Sequence, residues 1–264
     1  HLTTHAFFKA LLFLCAGSVI HSMNNEQDMR KMGGLSNKMP ITTILMWVAS
    51  LAIIGFPLFS GYYSKESILE STYFSNSLSS NFAYIIGVIT TALTAFYSWR
   101  LLFMTFHGKS NSSNEIHKNI HESPYIMLIP MIFLGIGSLI IGKIFFEFFI
   151  GEQSLYFWSN SIIVDHLYDK HLPFNQSLMI KFSASIGIFL AAIFYFYKTN
   201  IPKILTNNFK TLHSFLLNKW YFDEIYNRLF VQNIIKLSDN LWKKIDIGLI
   251  DRLGPNALAL STKK

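Results

Sequence analysis

Residues 1–21, HLTTHAFFKALLFLCAGSVIH, constrain the fold of this chain more than any other stretch. The run is almost wholly apolar, and its length matches the ~20 residues that a helix needs to cross a bilayer. Yet it carries His1, His5 and Lys9 at four-residue intervals. Four residues is slightly more than one helical turn, so the three side chains share one face. A lysine flanked by Ala10 to Ala16 lies deep in a hydrophobic helix. Placing one there costs roughly 2.5–3.5 kcal/mol on insertion scales, which marks an intramembrane ionisable group as a functional candidate.

The alternatives at this row are a lysine that merely reaches an interface, and a metal site. His1 and His5 have ligand spacing, but Leu2 stands where a metalloprotease helix carries its glutamate, and no third ligand is evident. A proton path fits better. An amine taken out of water holds its proton less firmly, and imidazole titrates nearest neutrality.

The rest of the chain agrees with a membrane setting. Of its 264 residues 51% are hydrophobic and only 14% charged, against ~25% charged in a soluble domain. Several further apolar runs reach spanning length. The single cysteine, Cys15, lies in the first run, so an internal disulfide is impossible and a packing role is expected. The net charge of +7 is carried mostly by loops and tail, which reads as membrane orientation rather than nucleic-acid binding. The chain opens at His1, already inside a helix and without Met, and reads as a fragment of a longer protein.

Five spanning segments are predicted within 1–197. The first ends near His21, and Pro40 opens the second after a basic loop, 23–39, with a Gly33-Gly34 turn. The second, about 41–71, is interrupted at Gly55-Phe56-Pro57. An interior proline removes a helix hydrogen bond and clashes with the preceding turn, so two half-helices joined by an unwound turn are expected. Such breaks occur at membrane depth only where protein or water satisfies the backbone, and transporters place ion sites there. Lys65, eight residues beyond Pro57, is therefore the second lysine candidate. The alternative places Lys65 and Glu66 at the far interface. The remaining segments run about 82–106, 124–148 and 178–197. Arg100 and Lys181 read as snorkelling residues, Tyr97 and Trp99 as belt aromatics, and Lys143 with Glu147 as a surface pair.

Loops 23–39 and 107–123 hold Arg30, Lys31, Lys38, Lys109 and Lys118, whereas loops 72–81 and 149–177 hold only Lys170. The basic side is then cytoplasmic, or matrix in a mitochondrion. His107, His117 and His121 lie in a loop whose SNSSN centre reads as solvated and offer a metal site only weakly, whereas Trp158, Asp165, His166, Asp169, Lys170 and His171 form a mixed polar set with no recognisable site spacing. Residues 198–219 read as a connector. From 220 to 253, Phe222, Ile225, Tyr226, Leu229, Phe230, Ile234, Leu237 and Leu241 follow helical spacing opposite Asp223, Glu224, Asn227, Arg228, Lys236 and Lys243. This amphipathic helix is too polar to span; it lies in the interface, along other helices, or on a soluble partner. Gly254-Pro255 ends it. The fold class is all-α: a polytopic transmembrane bundle with one broken helix, followed by an amphipathic helix.

Three stretches together, HLTTHAFFKALLFLCAGSVIH, GFPLFSGYYSKESIL and TAFYSWRLLFMTFHG, resemble the large antiporter-like subunit of respiratory complex I. That family is NADH–quinone oxidoreductase subunit L in bacteria, or chain 5 in mitochondria. WYFDEIY and the amphipathic stretch after it resemble the start of the family's long lateral helix. The resemblance implies proton translocation coupled to quinone reduction. Lys9 matches the central buried lysine of the family's path, His1 and His5 the two histidines before it, and Lys65 the lysine of the broken helix. It further implies a Glu/Lys pair upstream of His1 and an anchoring helix after 254–264. The expected location is the bacterial inner membrane or the mitochondrial inner membrane. NAD, FMN, Fe–S clusters and quinone are expected in other subunits, since no Cys cluster, P-loop or dinucleotide fingerprint occurs here. The expected partners are the bilayer and other complex I membrane subunits, the latter contacted by the lateral helix, with no nucleic acid. Competing resemblances are the large subunit of a multisubunit sodium–proton antiporter and the membrane subunit of a hydrogenase-type complex.

Overall fold

The computed structural model describes residues 1–75, 77–159, 161 and 172–263. Asp165, His166, Asp169, Lys170 and His171 lie outside the described residues. Helices are the only regular secondary structure among those described. They form two compact units, 1–200 and 201–264.

The first unit is a helix bundle. Helix α1 (Leu2–Ser22) is followed by two short 3₁₀ turns, then α2 (Pro40–Ile54) and α3 (Ser60–Phe74). Pro40 occupies the first turn of α2, where no N–H is needed. The second apolar segment is broken as its sequence requires. Gly55 takes a left-handed conformation (φ 79°) at the C-terminus of α2, and the helix restarts only at Ser60. Helix α4 (Ser80–Thr105), a short α5 (Asn114–Asn119), α6 (Tyr125–Phe149), a short α7 (Ser154–Trp158) and α8 (Phe174–Ala192) complete the unit. A π-helical turn, Ile193–Tyr197, extends α8.

Four helical stretches have membrane-crossing length and hydropathy: Leu2–Ser22, Ser80–Thr105, Tyr125–Phe149 and Phe174–Tyr197. Between 17% and 39% of their apolar windows is buried in protein. The apolar remainder demands a lipid solvent, as a multi-pass membrane protein has. The shorter α2 is also apolar, and with α3 it makes the broken second segment.

Helix α1 packs on α2 and α6, α3 on α6 and α4, and α4 on α8. Close approaches depend on small residues. A Cβ on Gly61 would lie 1.8 Å from the Ala52 carbonyl oxygen, one on Gly142 2.3 Å from Ser60 Cα, and one on Gly187 2.2 Å from the Ala92 carbonyl oxygen. Leu11, Cys15, Val19, Met46, Leu102 and Met131 belong to the main core, so Cys15 packs as expected.

Two expectations fail here. Trp99 is not a belt residue but is 7% exposed, edge-on to Trp47 at 4.5 Å between centroids. Its position on the face of α4 that meets α2 draws it inward. Lys143 and Glu147 form no ion pair; both are exposed, where pairing gains little. The Lys181 Nζ sits 5.7 Å from the centroid of the Tyr62 ring on α3. Arg100 likewise covers Tyr195, at 5.3 Å.

The two basic loops lie together. Gly34 N donates to the His107 carbonyl, Ser36 N to the Phe106 carbonyl and Asn111 N to the Met32 carbonyl. Gly33 must be a glycine, since its φ is 125° and a Cβ would meet the Lys109 carbonyl at 2.4 Å. Asp28 caps one 3₁₀ turn through Arg30 N, and the adjoining Arg30 guanidinium holds its carboxyl down at about 2.

The second unit opens with two short helices, α9 (Ile201–Asn208) and α10 (Lys210–Leu217), separated at Phe209. A kink follows, with positive φ at Lys219, Trp220 and Tyr221. A continuous helical run then leads from α11 (Phe222–Tyr226) through a π turn into α12 (Gln232–Leu241) and a second π stretch, Trp242–Asp251. It stops at Gly254, after which α13 (Pro255–Thr262) starts on its proline. Phe222, Leu229, Ile234 and Leu237 are each more than half exposed, so the apolar stripe of this helix is unpaired within its own unit.

Candidate proton-path site

The row on α1 forms as its spacing dictates. The His1 and His5 rings are 5.5 Å apart, and His5 meets Phe8 edge-on at 5.3 Å. Lys9 is half-buried, with its ammonium 5.5 Å from the Phe13 ring of the same helix. The adjoining face of α1, through Phe8, Leu11 and Cys15, is fully buried against the bundle.

The break between α2 and α3 brings Ser64 to the start of this row. His1 Nδ1 lies 2.9 Å from Ser64 Oγ, and Thr4 Oγ1 lies 2.8 Å from the same atom. Thr4 Oγ1 also lies 2.9 Å from the His1 carbonyl oxygen. Its single proton serves one of these acceptors at a time. Two complete donor patterns follow. With Nδ1 unprotonated, Thr4 donates to Ser64 and Ser64 donates to His1 Nδ1. With Nδ1 protonated, His1 and Thr4 both donate to Ser64 Oγ, and Ser64 turns its own proton to the Ser60 carbonyl oxygen, 3.4 Å away. The same atoms thus accommodate His1 before and after it gains a proton.

Lys65 follows Ser64 and is half-buried, its Cδ 3.6 Å from the position a Cβ on Gly55 would occupy. The stem therefore lies along the unwound turn. Beside it, Glu66 Oε1 accepts from Ser177 Oγ on α8 at 3.0 Å, and Glu70 Oε1 accepts from Leu172 N at 3.1 Å. These bonds tether the start of α8 to the half-helix that carries Lys65.

A cavity of about 410 Å³ opens where α1, α3 and the α3–α4 turn meet. Its lining includes His1, Ser64, Ser67, Ser71, Ser75 and Ser80. A cavity so rich in hydroxyls suits water. It lies at the end of the bundle away from the two basic loops.

The structure thus joins His1 to the residue preceding Lys65, while no side-chain hydrogen bond links Lys9 to Lys65 among the described residues. Sequence reading missed Thr4 and Ser64. A hydroxyl one turn from a charged residue is too common a signal, and Thr4 and Ser64 are 60 positions apart. Among the described residues the loop histidines gather no site; His107 accepts from Trp47 Nε1–H at 3.1 Å. No group of three or more His, Cys, Asp or Glu among the described residues is arranged to hold a metal.

Residues 1–94 match the family model described as NADH:quinone oxidoreductase/Mrp antiporter, TM. Residues 97–264 match NADH dehydrogenase subunit 5 C-terminus. Among curated relatives, NADH-ubiquinone oxidoreductase chain 5 of Phytophthora infestans is 43% identical over 98% of this chain and 40% of its own length. The chain 5 proteins of Acanthamoeba castellanii and Arabidopsis thaliana are 41% and 39% identical, over 97% and 100% of this chain and 39% and 41% of theirs. The chain spans about two fifths of the length of these relatives. With a subunit 5 model covering its last 168 residues and an antiporter-type transmembrane model before it, the chain belongs to the chain 5 family of NADH-ubiquinone oxidoreductase, the membrane subunits of that oxidoreductase complex.

Proposed function

We propose that this chain supplies the central and outer part of a proton path in an NADH–quinone oxidoreductase, with Lys9, Lys65, His5 and His1 as its proton-carrying groups. The observation that carries the reading is the His1–Ser64–Thr4 junction, which joins the histidine row of α1 to the broken helix bearing Lys65. Its two donor patterns allow His1 to take up and release a proton without leaving a buried group unpaired. The hydroxyl-lined cavity beside Ser64 supports an aqueous outlet on the side away from the basic loops.

In this mechanism Lys9 gives up and regains the transported proton. His5 and His1 pass its proton along α1 to the junction. Lys65, on the unwound turn, takes the corresponding role on the broken helix. Quinone reduction elsewhere in the complex biases these charge states; NAD, FMN, Fe–S clusters and quinone belong to other subunits. The amphipathic helix 220–253 lies along neighbouring membrane subunits, to which its exposed apolar stripe is suited. The relatives compared are eukaryotic, which favours the mitochondrial inner membrane, with the basic loops facing the matrix. The sodium–proton antiporter reading draws on residues 1–94 alone; the subunit 5 match over 97–264 favours the oxidoreductase.

The test is Lys9→Ala in the full-length subunit, with NADH-driven acidification measured in vesicles and normalised to assembled complex. Loss of acidification with assembly intact is expected. Acidification at the parental proton-to-electron ratio would refute the role of Lys9.

A further inference from the structure

At the opposite end of α1 and α2 a second polar network is built around Glu122, in the segment leading into α6. Glu122 Oε2 accepts from Ile41 N at 2.7 Å and from Thr42 N at 3.3 Å, while Oε1 accepts from Thr42 Oγ1 at 2.5 Å. A carboxylate from 80 residues away thus occupies the N-terminus of α2, where free N–H groups and the helix dipole favour an anion. The network continues inward. Thr42 Oγ1 lies 3.0 Å from Ser18 Oγ on α1, and Ser18 Oγ lies 2.6 Å from Ser123 Oγ. Ser18 and Thr42 are fully buried and Ser123 is 5% exposed. Because Thr42 gives its only proton to the carboxylate, Ser18 must donate to Thr42, and Ser123 to Ser18. Every donor in the chain points toward Glu122. One turn on, Ser22 Oγ donates to the His121 carbonyl at 2.8 Å and accepts from His121 N at 3.2 Å.

We propose that Glu122 is a positioning residue for the proton path: it locks α1, which carries Lys9, to the N-terminus of α2, which leads through the break to Lys65. This rests on the reading of those lysines given above. Helix α1 is rigid over the nine residues from Ser18 to Lys9, ~13.5 Å at 1.5 Å per residue. A slip at Thr42–Ser18 is therefore transmitted to both halves of the path. No other described side chain caps the α2 N-terminus, so this carboxylate is the polar anchor between α1 and the start of α2.

The experiment uses the full-length subunit in the assembled complex and reads protons translocated per NADH, per assembled complex. The variants are Glu122→Ala, Thr42→Val, the pair combined, and Glu122→Gln, with Lys9→Ala alongside. Thr42→Val keeps the backbone bonds to Glu122 and removes only the hydroxyl link, so it reports even where Glu122→Ala assembles poorly. Glu122→Ala and Thr42→Val should each lower the ratio, Glu122→Ala by roughly tenfold, as expected for reacting groups displaced by about 1 Å or less. The double variant should be no worse than Glu122→Ala, since both break one network. Glu122→Gln should recover most of the ratio: its amide oxygen still accepts from Ile41 and Thr42, and its NH₂ donates to Thr42 with the hydroxyl chain reversed. A parental ratio in both Thr42→Val and whatever Glu122→Ala complex assembles, or multiplicative effects in the double variant, would overturn the proposal. If Glu122→Ala behaves as parental while Lys9→Ala is inactive, positioning alone fails; if Lys9→Ala also pumps normally, the path itself is wrong.

Discussion

Replacing Gly61 by alanine tests whether the joint between α2 and α3 sets the position of the path. A Cβ there would fall 1.8 Å from the Ala52 carbonyl oxygen and 2.9 Å from its carbon, both backbone atoms, so no side-chain rotation relieves it. Opening the oxygen contact even to 3.0 Å moves the first turn of α3 away from the last turn of α2 by at least about 1.2 Å. Ser64 and Lys65 follow one turn later on the same rigid half-helix, so His1 Nδ1 and Ser64 Oγ, now 2.9 Å apart, separate beyond hydrogen-bonding reach. The overpacking itself costs ~1–3 kcal/mol of stability, which a multi-helix bundle tolerates. A shift near 1 Å at a reacting constellation is the larger effect, up to about 10²-fold. The assay is NADH-driven acidification in vesicles, normalised to assembled complex on a native gel. Gly61→Ala should assemble and lose at least about nine tenths of its proton translocation. Wild-type translocation per complex would show that the α2–α3 joint does not position the path.

Gly187→Ala places a similar insult, 2.2 Å from the Ala92 carbonyl oxygen, at the α4–α8 contact. It should lower thermal stability by ~1–3 kcal/mol and, because α8 reaches the Lys65 half-helix through side-chain bonds of Glu66 and Glu70, reduce translocation per assembled complex less than Gly61→Ala does in the same vesicle assay. Ser64→Ala removes the shared partner of His1 and Thr4 and should depress translocation without lowering the yield of complex on a native gel. His107 receives the indole N–H of Trp47 only while its Nε2 is unprotonated, and burial pushes the imidazole below its ordinary 6.5. The folded state therefore binds fewer protons than the unfolded one: this contact stabilises fully above about pH 6.5 and is lost as pH falls through the lowered folded value. Thermal melts of the detergent-solubilised complex should lose stability over that acid window, and His107→Phe should flatten this part of the pH dependence.

Much of the bundle was legible because membrane helices announce themselves by length and hydropathy, and because proline and glycine act locally. Pro40 and the Gly55-Phe56-Pro57 break appear in the structure where backbone chemistry demands them. The row His1, His5, Lys9 needed only helical periodicity. What periodicity does not encode is which distant element a side chain meets. Thr4 and Ser64, 60 residues apart, and Glu122 and Thr42, 80 apart, look ordinary in sequence and become notable only through their partners. Trp99 was misplaced for the same reason. An aromatic near a helix end suits an interface belt or a core equally, and only the neighbouring Trp47 decides it. Lys181 and Tyr62 repeat the lesson, since a long cationic stem turns toward whichever ring or water is nearer.

The most direct measurement of the central claim is the proton-to-electron ratio of the complex carrying Lys65→Ala in the full-length subunit. Continued NADH oxidation by an assembled complex with a reduced ratio would place Lys65 in the path. An unchanged ratio would make Lys65 an interface residue and contradict the account.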